Sequence, residues 1–192
     1  LDLPFDNTLL VLKTYLEKFD NTIHIKEIET LMVQVFQSSS KYDEAFDALS
    51  SIQLPDFQQQ RSLQQLAFFL GVKEYNAANY SKALTYFQLA TQYPIDDKIA
   101  YVAVFWLADC YFKLNDFERS AELYTNLPIN NTVNLGFYHE LKQYHLAYAY
   151  FKLGEYKRAN VYFRKYEKLA TDSMNLNDTY LRIADCFFMN QE

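Results

Sequence analysis

The chain has 192 residues, half of them hydrophobic and 22% charged, with only 3 Gly and 4 Pro. That is too apolar for a disordered segment and too poor in Gly and Pro for a loop-rich or collagen-like chain. Eighteen Lys and Arg against 24 Asp and Glu leave a formal charge of −6, which disfavours phosphate backbones and anionic membrane surfaces, so no nucleic-acid partner is expected.

Apolar residues recur at spacings of three, four and seven, as in Leu63, Leu66 and Leu70 or Tyr80, Ala83, Phe87 and Ala90. This places one face of a helix on a core. No Asn-Gly, Asp-Gly or Gly-Gly pair offers a hairpin turn, and the chain reads as all-α. In chain order, a half unit over about 1–20 opens on Leu1-Asp2-Leu3-Pro4, with neither a basic n-region nor an apolar h-region, so any targeting signal is expected outside these residues. Helices are then predicted over 24–38 with 42–53, 58–77 with 80–93, 97–114 with 117–127, and 134–153 with 156–171, followed by a last helix over about 177–190. Pro55, Pro94, Pro128 and the polar stretches Ser38-Ser39-Ser40, Asn130-Asn131-Thr132 and Thr171-Asp172-Ser173 supply the breaks. The longest apolar run, Ile99 to Ala108, is half of what a bilayer crossing requires.

Self-similarity organises these helices. Leu107-Ala108-Asp109-Cys110-Tyr111-Phe112-Lys113-Leu114 is nearly repeated by Leu146-Ala147-Tyr148-Ala149-Tyr150-Phe151-Lys152-Leu153 and by Ile183-Ala184-Asp185-Cys186-Phe187-Phe188-Met189. An aromatic anchor follows the first two, at Phe117 and Tyr156, with equivalents upstream at Tyr80, Tyr42 and Phe5, separated by 37, 38, 37 and 39 residues. A period in this range marks a repeat array. Three residues after the anchor the side chain is small (Ala45, Ala83, Ser120, Ala159); seven after it stands a large one (Leu49, Phe87, Tyr124, Phe163). Each unit is thus a pair of helices that buries its apolar faces only by stacking. The units fall at about 24–54, 58–94, 97–128 and 134–171, between the half unit at 1–20 and a truncated one at 177–192, a pattern that reads as a piece of a longer array. Ile183, Ala184, Phe187 and Phe188 of the last helix then expect a covering helix, so self-association or fraying is expected there.

These columns resemble the tetratricopeptide repeat family. Leu70-Gly71, Asn79-Tyr80, Ala83, Phe87, Ala90 and Pro94 look like that family's pattern, and Leu153-Gly154-Glu155-Tyr156-Lys157-Arg158-Ala159 is similar to its inter-helix turn. The period exceeds the family's ~34. The longer units resemble those of bacterial envelope proteins of the family, such as outer-membrane assembly lipoproteins, which would imply a periplasmic setting. The resemblance implies a right-handed α-solenoid of stacked helix-turn-helix repeats that binds a peptide or protein partner and is not an enzyme. Its concave groove would be lined by Phe68, Val72 and Tyr75 in one unit, by Phe105, Asp109 and Phe112 in the next, and by Tyr144, Tyr148 and Phe151 in the third. The aromatic character of these positions leaves three alternatives open: stacking platforms for a carbohydrate or other small ligand, an architectural spacer, and rings that simply pack on one another.

The remaining chemistry-bearing residues suggest no reaction and no cofactor. His139 and His145, six apart, are ~240° around a helix from one another and cannot share a metal, so they read as ordinary, partly exposed histidines. Cys110 and Cys186 occupy equivalent columns two repeats apart, too distant for a disulfide, and read as buried small hydrophobes. Asp109, four before Lys113, suggests a surface ion pair. Lys157, Arg164 and Lys168 form one basic stripe, read as a solvated face.

Overall fold

The computed structural model describes residues 42–50, 55–127, 136–170 and 173–190, with isolated positions 11, 15, 18 and 31. Apart from those isolated positions, the unit expected at 1–20 and the helix expected at 24–38 lie outside the described residues. Among those described, eight helices and no strand occur: α1 Tyr42–Ser50, α2 Phe57–Asn76, α3 Tyr80–Gln92, α4 Asp97–Lys113, α5 Phe117–Asn126, α6 Gly136–Lys152, α7 Tyr156–Leu169 and α8 Ser173–Met189. The last begins four residues earlier than its periodicity suggests.

Local chemistry sets the helix ends. Asp56 opens α2 with a capping box, its carboxylate accepting from the Gln59 amide at 2.9 Å while Gln59 Oε1 accepts from the Asp56 amide at 2.8 Å. Asp96 and Asp116 cap α4 and α5 in the same sense. At the other end, α2, α4 and α6 close identically. The amides of Asn79, Asp116 and Glu155 each reach back five residues, to the carbonyls of Glu74, Tyr111 and Tyr150, all at 2.9 Å. The residue two before each anchor takes the left-handed conformation: Ala78 at φ 60°, Asn115 at φ 64° and Gly154 at φ 76°. This is the helix-terminating motif that glycine favours, imposed here on alanine and asparagine as well.

The turns fold each first helix antiparallel onto its second, and the same ring contacts recur in all three hairpins. Beside the turn, Tyr75 meets Tyr80 at 5.3 Å, Phe112 meets Phe117 at 5.2 Å and Phe151 meets Tyr156 at 5.3 Å between centroids. Two turns further along, Phe68 meets Phe87 at 5.9 Å, Phe105 meets Tyr124 at 5.3 Å and Tyr144 meets Phe163 at 6.2 Å. Edge-on and tilted geometries of this kind are favoured by the ring quadrupoles. Between them the small column closes the seam, with Ala83, Ser120 and Ala159 fully buried. Facing them, Gly71, Ala108 and Ala147 are buried too.

Helices contact their chain neighbours in sequence, and α2 also touches α4, which touches α6, so the first helices of successive hairpins form one continuous layer. The architecture is an α-solenoid. Two buried amphiphiles pin the layers: the Gln64 side chain exchanges hydrogen bonds with the backbone of Asp96 at 2.8 and 3.1 Å, and Lys142 Nζ donates to the Leu127 carbonyl at 2.5 Å, at the end of α5. Cys110 and Cys186 are free and fully buried, with burial pushing their thiols up to about 12 and about 11.

The small column makes opposite predictions at two sites. A methyl added at Gly71 would lie 2.7 Å from the Phe87 ring, so Gly71→Ala should lower stability by ~1 to 3 kcal/mol. The Ser120 hydroxyl is buried without a hydrogen-bond partner, where the neighbouring repeats carry alanine. Ser120→Ala should therefore raise stability by about 1 kcal/mol. Urea midpoints of the two variants, moving in opposite directions, check both.

Candidate functional site

Where α4 and α6 run side by side, a recess of about 360 Å³ opens between them. Asp109, Phe112 and Lys113 come from α4, and Tyr144, His145, Tyr148 and Lys152 from α6. The spacing of three or four along each helix directs these side chains to one face. The walls are largely aromatic, and Lys113 and Lys152, four before their respective anchors, stand exposed at the rim.

The floor is a buried polar network. Asp109 is only 3% exposed. One carboxylate oxygen lies 2.8 Å from His145 Nδ1 and 3.4 Å from the Tyr124 hydroxyl, and the other accepts from the Tyr75 hydroxyl. The Tyr124 hydroxyl is also 3.1 Å from His145 Nδ1. Burial pushes the Asp109 carboxyl up, but the hydrogen bond and charge of His145, with the Tyr75 hydroxyl, outweigh it and hold the acid below its ordinary value. A carboxylate this close to a ring nitrogen requires a proton between them. Nδ1 therefore carries hydrogen, leaving Nε2 as the nitrogen available to the recess. Tyr124, wholly buried beside this carboxylate, is raised well above the usual phenol range, by burial first.

A second carboxylate repeats the arrangement one helix further on. Asp178 of α8 accepts from the Tyr144 hydroxyl at 2.8 Å and from the Tyr148 hydroxyl, and Arg182 stands 3.5 Å from its other oxygen. Burial, then the bond to Asp178, pushes the Tyr148 phenol up to about 12. Both tyrosines therefore donate to Asp178 while their rings wall the recess.

Of the nine positions expected to line a groove, the recess gathers four: Asp109, Phe112, Tyr144 and Tyr148. Phe68 lies in the seam against Phe87, Phe151 against Tyr156, and Val72 packs half-buried on the core around Phe87. Phe105 is core, 1% exposed and ringed by Trp106, Tyr124, Tyr138 and His145. Tyr75 stacks edge-on to Trp106 at 4.8 Å and spends its hydroxyl on Asp109. Two further expectations are corrected. Asp109 is not in a surface ion pair with Lys113; its partners are Tyr75, Tyr124 and His145, because the α4 face that carries it is covered by α2, α5 and α6. His145, read as an ordinary histidine, is one of those partners. The basic stripe is not bare either, since Arg164 lies 3.7 Å from Glu167 and 5.6 Å above the Phe187 ring.

The signal that could have found His145 is its separation from Asp109. The two are 36 residues apart, about one repeat period, on consecutive first helices that the array sets side by side. Among the described residues, no group of three or more His, Cys, Asp or Glu could hold a metal, and no helix is long and apolar enough to cross a membrane.

The fold is that of a helical-repeat protein, with the recess between two first helices of the array. Tetratricopeptide repeats match residues 102–128 and 143–173, which run from within α4 through α5 and from within α6 through α7. Those two segments of the chain are tetratricopeptide repeats. Its fold is similar to that of BtubC (BKLC) from P. vanneervenii, at 14% identity over 99% of this chain and 85% of that one, with a TM-score of 0.64. A tetratricopeptide repeat protein from Parabacteroides merdae aligns at 14% identity over 97% and 67% of the two chains with a TM-score of 0.47. A thermophilic TPR protein from Thermus thermophilus aligns at 12% identity over 96% and 91% with a TM-score of 0.43. No curated protein matches the sequence.

The network has its own test. Because Asp109 is held below the ordinary value of 3.8, its contribution to stability is complete above that pH and is lost as pH falls through the native value. Asp109→Asn should cost about 2 kcal/mol near neutrality, as hydrogen bonds to a charged group are removed. It should also flatten the acid limb of a melting-temperature-against-pH curve. A variant that melts in parallel with wild type down to strong acid would contradict the assigned network.

Proposed function

We propose that the protein binds a peptide or protein partner, and that the recess between α4 and α6 is where a partner side chain enters. Tetratricopeptide repeats mediate protein–protein interaction, and proteins of this fold are typically non-catalytic scaffolds. The observation that carries the reading is the pairing of aromatic walls with two rim lysines, Lys113 and Lys152, contributed by consecutive repeats. Neither lysine forms a salt bridge among the described residues, although the Lys113 charge helps hold the Asp109 carboxyl low, whereas Lys73 holds Asp43 at 2.6 Å and Lys82 holds Glu74 at 2.9 Å. An apolar group can fill the recess while acidic groups beside it meet the rim, the usual division between an apolar anchor and a polar border.

The rim lysines are exposed and form no salt bridge among the described residues, so neutralising them perturbs the packing little. A partner captured from an extract of the source organism should bind Lys113→Gln/Lys152→Gln at least tenfold more weakly, roughly 1.4 kcal/mol, with the helical circular dichroism and a cooperative melt retained. Unaltered affinity would remove the recess from consideration.

A further inference from the structure

The sequence places Ile183 and Phe187 of the last helix among uncovered residues, but the structure seats both, with Ile183 8% exposed and Phe187 packed against the core. The unassigned chemistry lies instead on the floor of the recess. The His145 side chain is 27% exposed there, and its hydrogen bonds among the described residues fall on Nδ1, with Asp109 at 2.8 Å and the Tyr124 hydroxyl at 3.1 Å. Were Tyr124 to donate to Nδ1, a nitrogen lone pair would face the carboxylate oxygen at 2.8 Å. The Tyr124 hydroxyl therefore donates to Asp109, and Nδ1–H does the same. In the neutral imidazole, Nε2 then holds its lone pair toward the recess. The hydroxyls around it are committed, Tyr75 to Asp109, and Tyr144 and Tyr148 to Asp178. Among the described residues, the floor thus offers one open acceptor and no free side-chain donor.

We propose that the partner side chain entering the recess is tryptophan, with its indole N–H donating to His145 Nε2 and Asp109 acting as the positioning residue that fixes this acceptor. The assignment rests on the reading of the recess as the partner site. Elimination among side chains carries it. A carboxylate would set its own lone pairs against Nε2, and a Lys or Arg would have to pass the two exposed cations of the rim, Lys113 and Lys152. Amides and hydroxyls bring a donor together with acceptor lone pairs that the floor cannot satisfy, which burdens tyrosine as well as glutamine or serine. Phenylalanine or leucine would cover Nε2 and leave it without a partner. Indole is uncharged, aromatic and donor-only, and its ring suits walls made of Phe112, Tyr144 and Tyr148. At about 360 Å³ the recess is at the small end of the ~300 to 1,000 Å³ range of ligand pockets, room for one large side chain rather than an extended ligand.

The first measurement needs no ligand. Proton–nitrogen correlation spectra of the full chain at about pH 8, where an ordinary imidazole is neutral, should show His145 with its proton on Nδ1, and Asp109→Asn should mix the two tautomers. A wild-type ring protonated on Nε2, or a spectrum that Asp109→Asn leaves unchanged, would overturn the proposal. The second measurement titrates the chain calorimetrically at the same pH with a blocked acidic peptide, Asp-Glu-Trp-Glu-Asp, and with versions carrying Phe, Tyr or N-methylated tryptophan at the centre. The tryptophan peptide should saturate and bind about tenfold more tightly than each of the others, the worth of one good hydrogen bond. In His145→Phe, which keeps a ring in place and removes the acceptor, the tryptophan and N-methyl peptides should bind alike. Equal binding of those two peptides to wild type, a preference for tyrosine, or an advantage over the N-methyl peptide that survives His145→Phe would each overturn the assignment. If the central residue makes no difference while Lys113→Gln/Lys152→Gln weakens all four peptides at least tenfold, the recess stands as the partner site and tryptophan alone is rejected. Absence of saturable binding into the millimolar range also rejects tryptophan, and the reading of the recess falls with it only where the lysine variant leaves the captured partner's affinity unaltered.

Discussion

The contact on which the rest of the structure depends is the ring pair that closes each hairpin, between an aromatic five residues before the anchor and the anchor itself. Between the two rings lies a left-handed residue, and the amide that follows it hydrogen-bonds back into the first helix. Together they fix where the first helix stops and how closely the second returns. A residue with a β-carbon held at positive φ is strained by roughly 1 kcal/mol or more. That Ala78 and Asn115 adopt the conformation Gly154 takes freely shows that the seam on either side outweighs the local cost. The closeness of the seam is visible at Gly71, where Phe87 occupies the space a side chain would fill.

Using one face of each first helix for the seam determines what remains for the layer between repeats. At 100° per residue, the positions twelve, nine and five before the anchor fall within about 60° of one another, while those eleven, eight and four before it are turned roughly 100° away. The second set carries the contacts between hairpins. Eleven before the anchor, Trp106 reaches Tyr75 at 4.8 Å, His145 reaches Asp109 at 2.8 Å and Arg182 lies 5.8 Å from the Phe151 ring. Eight and four before it stand Asp109 and Tyr148, and Lys113 and Lys152, which with His145 make five of the seven residues of the recess; Phe112 and Tyr144 are seam rings that reach its wall. The site is thus mostly the part of the helical surface that hairpin closure leaves over.

This division explains what could be read from the sequence. Hairpins from Phe57 onward were legible because seam columns hold the same kind of residue in each unit: aromatic, small, aromatic. The predicted bounds of α2 to α7 fall within about two residues of those observed. The inter-repeat column holds Trp106, His145 and Arg182, three unlike side chains performing one task, and no similarity between units reveals it. The resemblance to known repeats assigned Phe68, Phe105 and Phe151 to a groove, yet a large ring one turn from a small residue is what the seam itself requires. Asp109 was read against its own helix, where Lys113 is the nearest cation. Its burial comes from α2, α5 and α6, which only the stacking of repeats brings near.

Charge illustrates the same difference between chain-level and site-level properties. Ten of the 24 acidic residues but only four of the 18 basic ones fall within residues 1–60, so the formal charge of −6 is carried there and the remainder of the chain is balanced. Fields from exposed charges decay over ~8 to 10 Å at physiological salt. At the recess, the potential is therefore set by what is adjacent. Asp109 is buried and hydrogen-bonded to His145, Tyr75 and Tyr124, with the Lys113 charge also acting on it; Asp178 lies beside Arg182, and Lys113 and Lys152 stand exposed at the rim without a salt bridge among the described residues. A chain whose overall charge repels polyanions can in this way present a locally cationic rim, because the neutralised carboxylates lie beneath it and the excess acidic residues belong to a different part of the sequence.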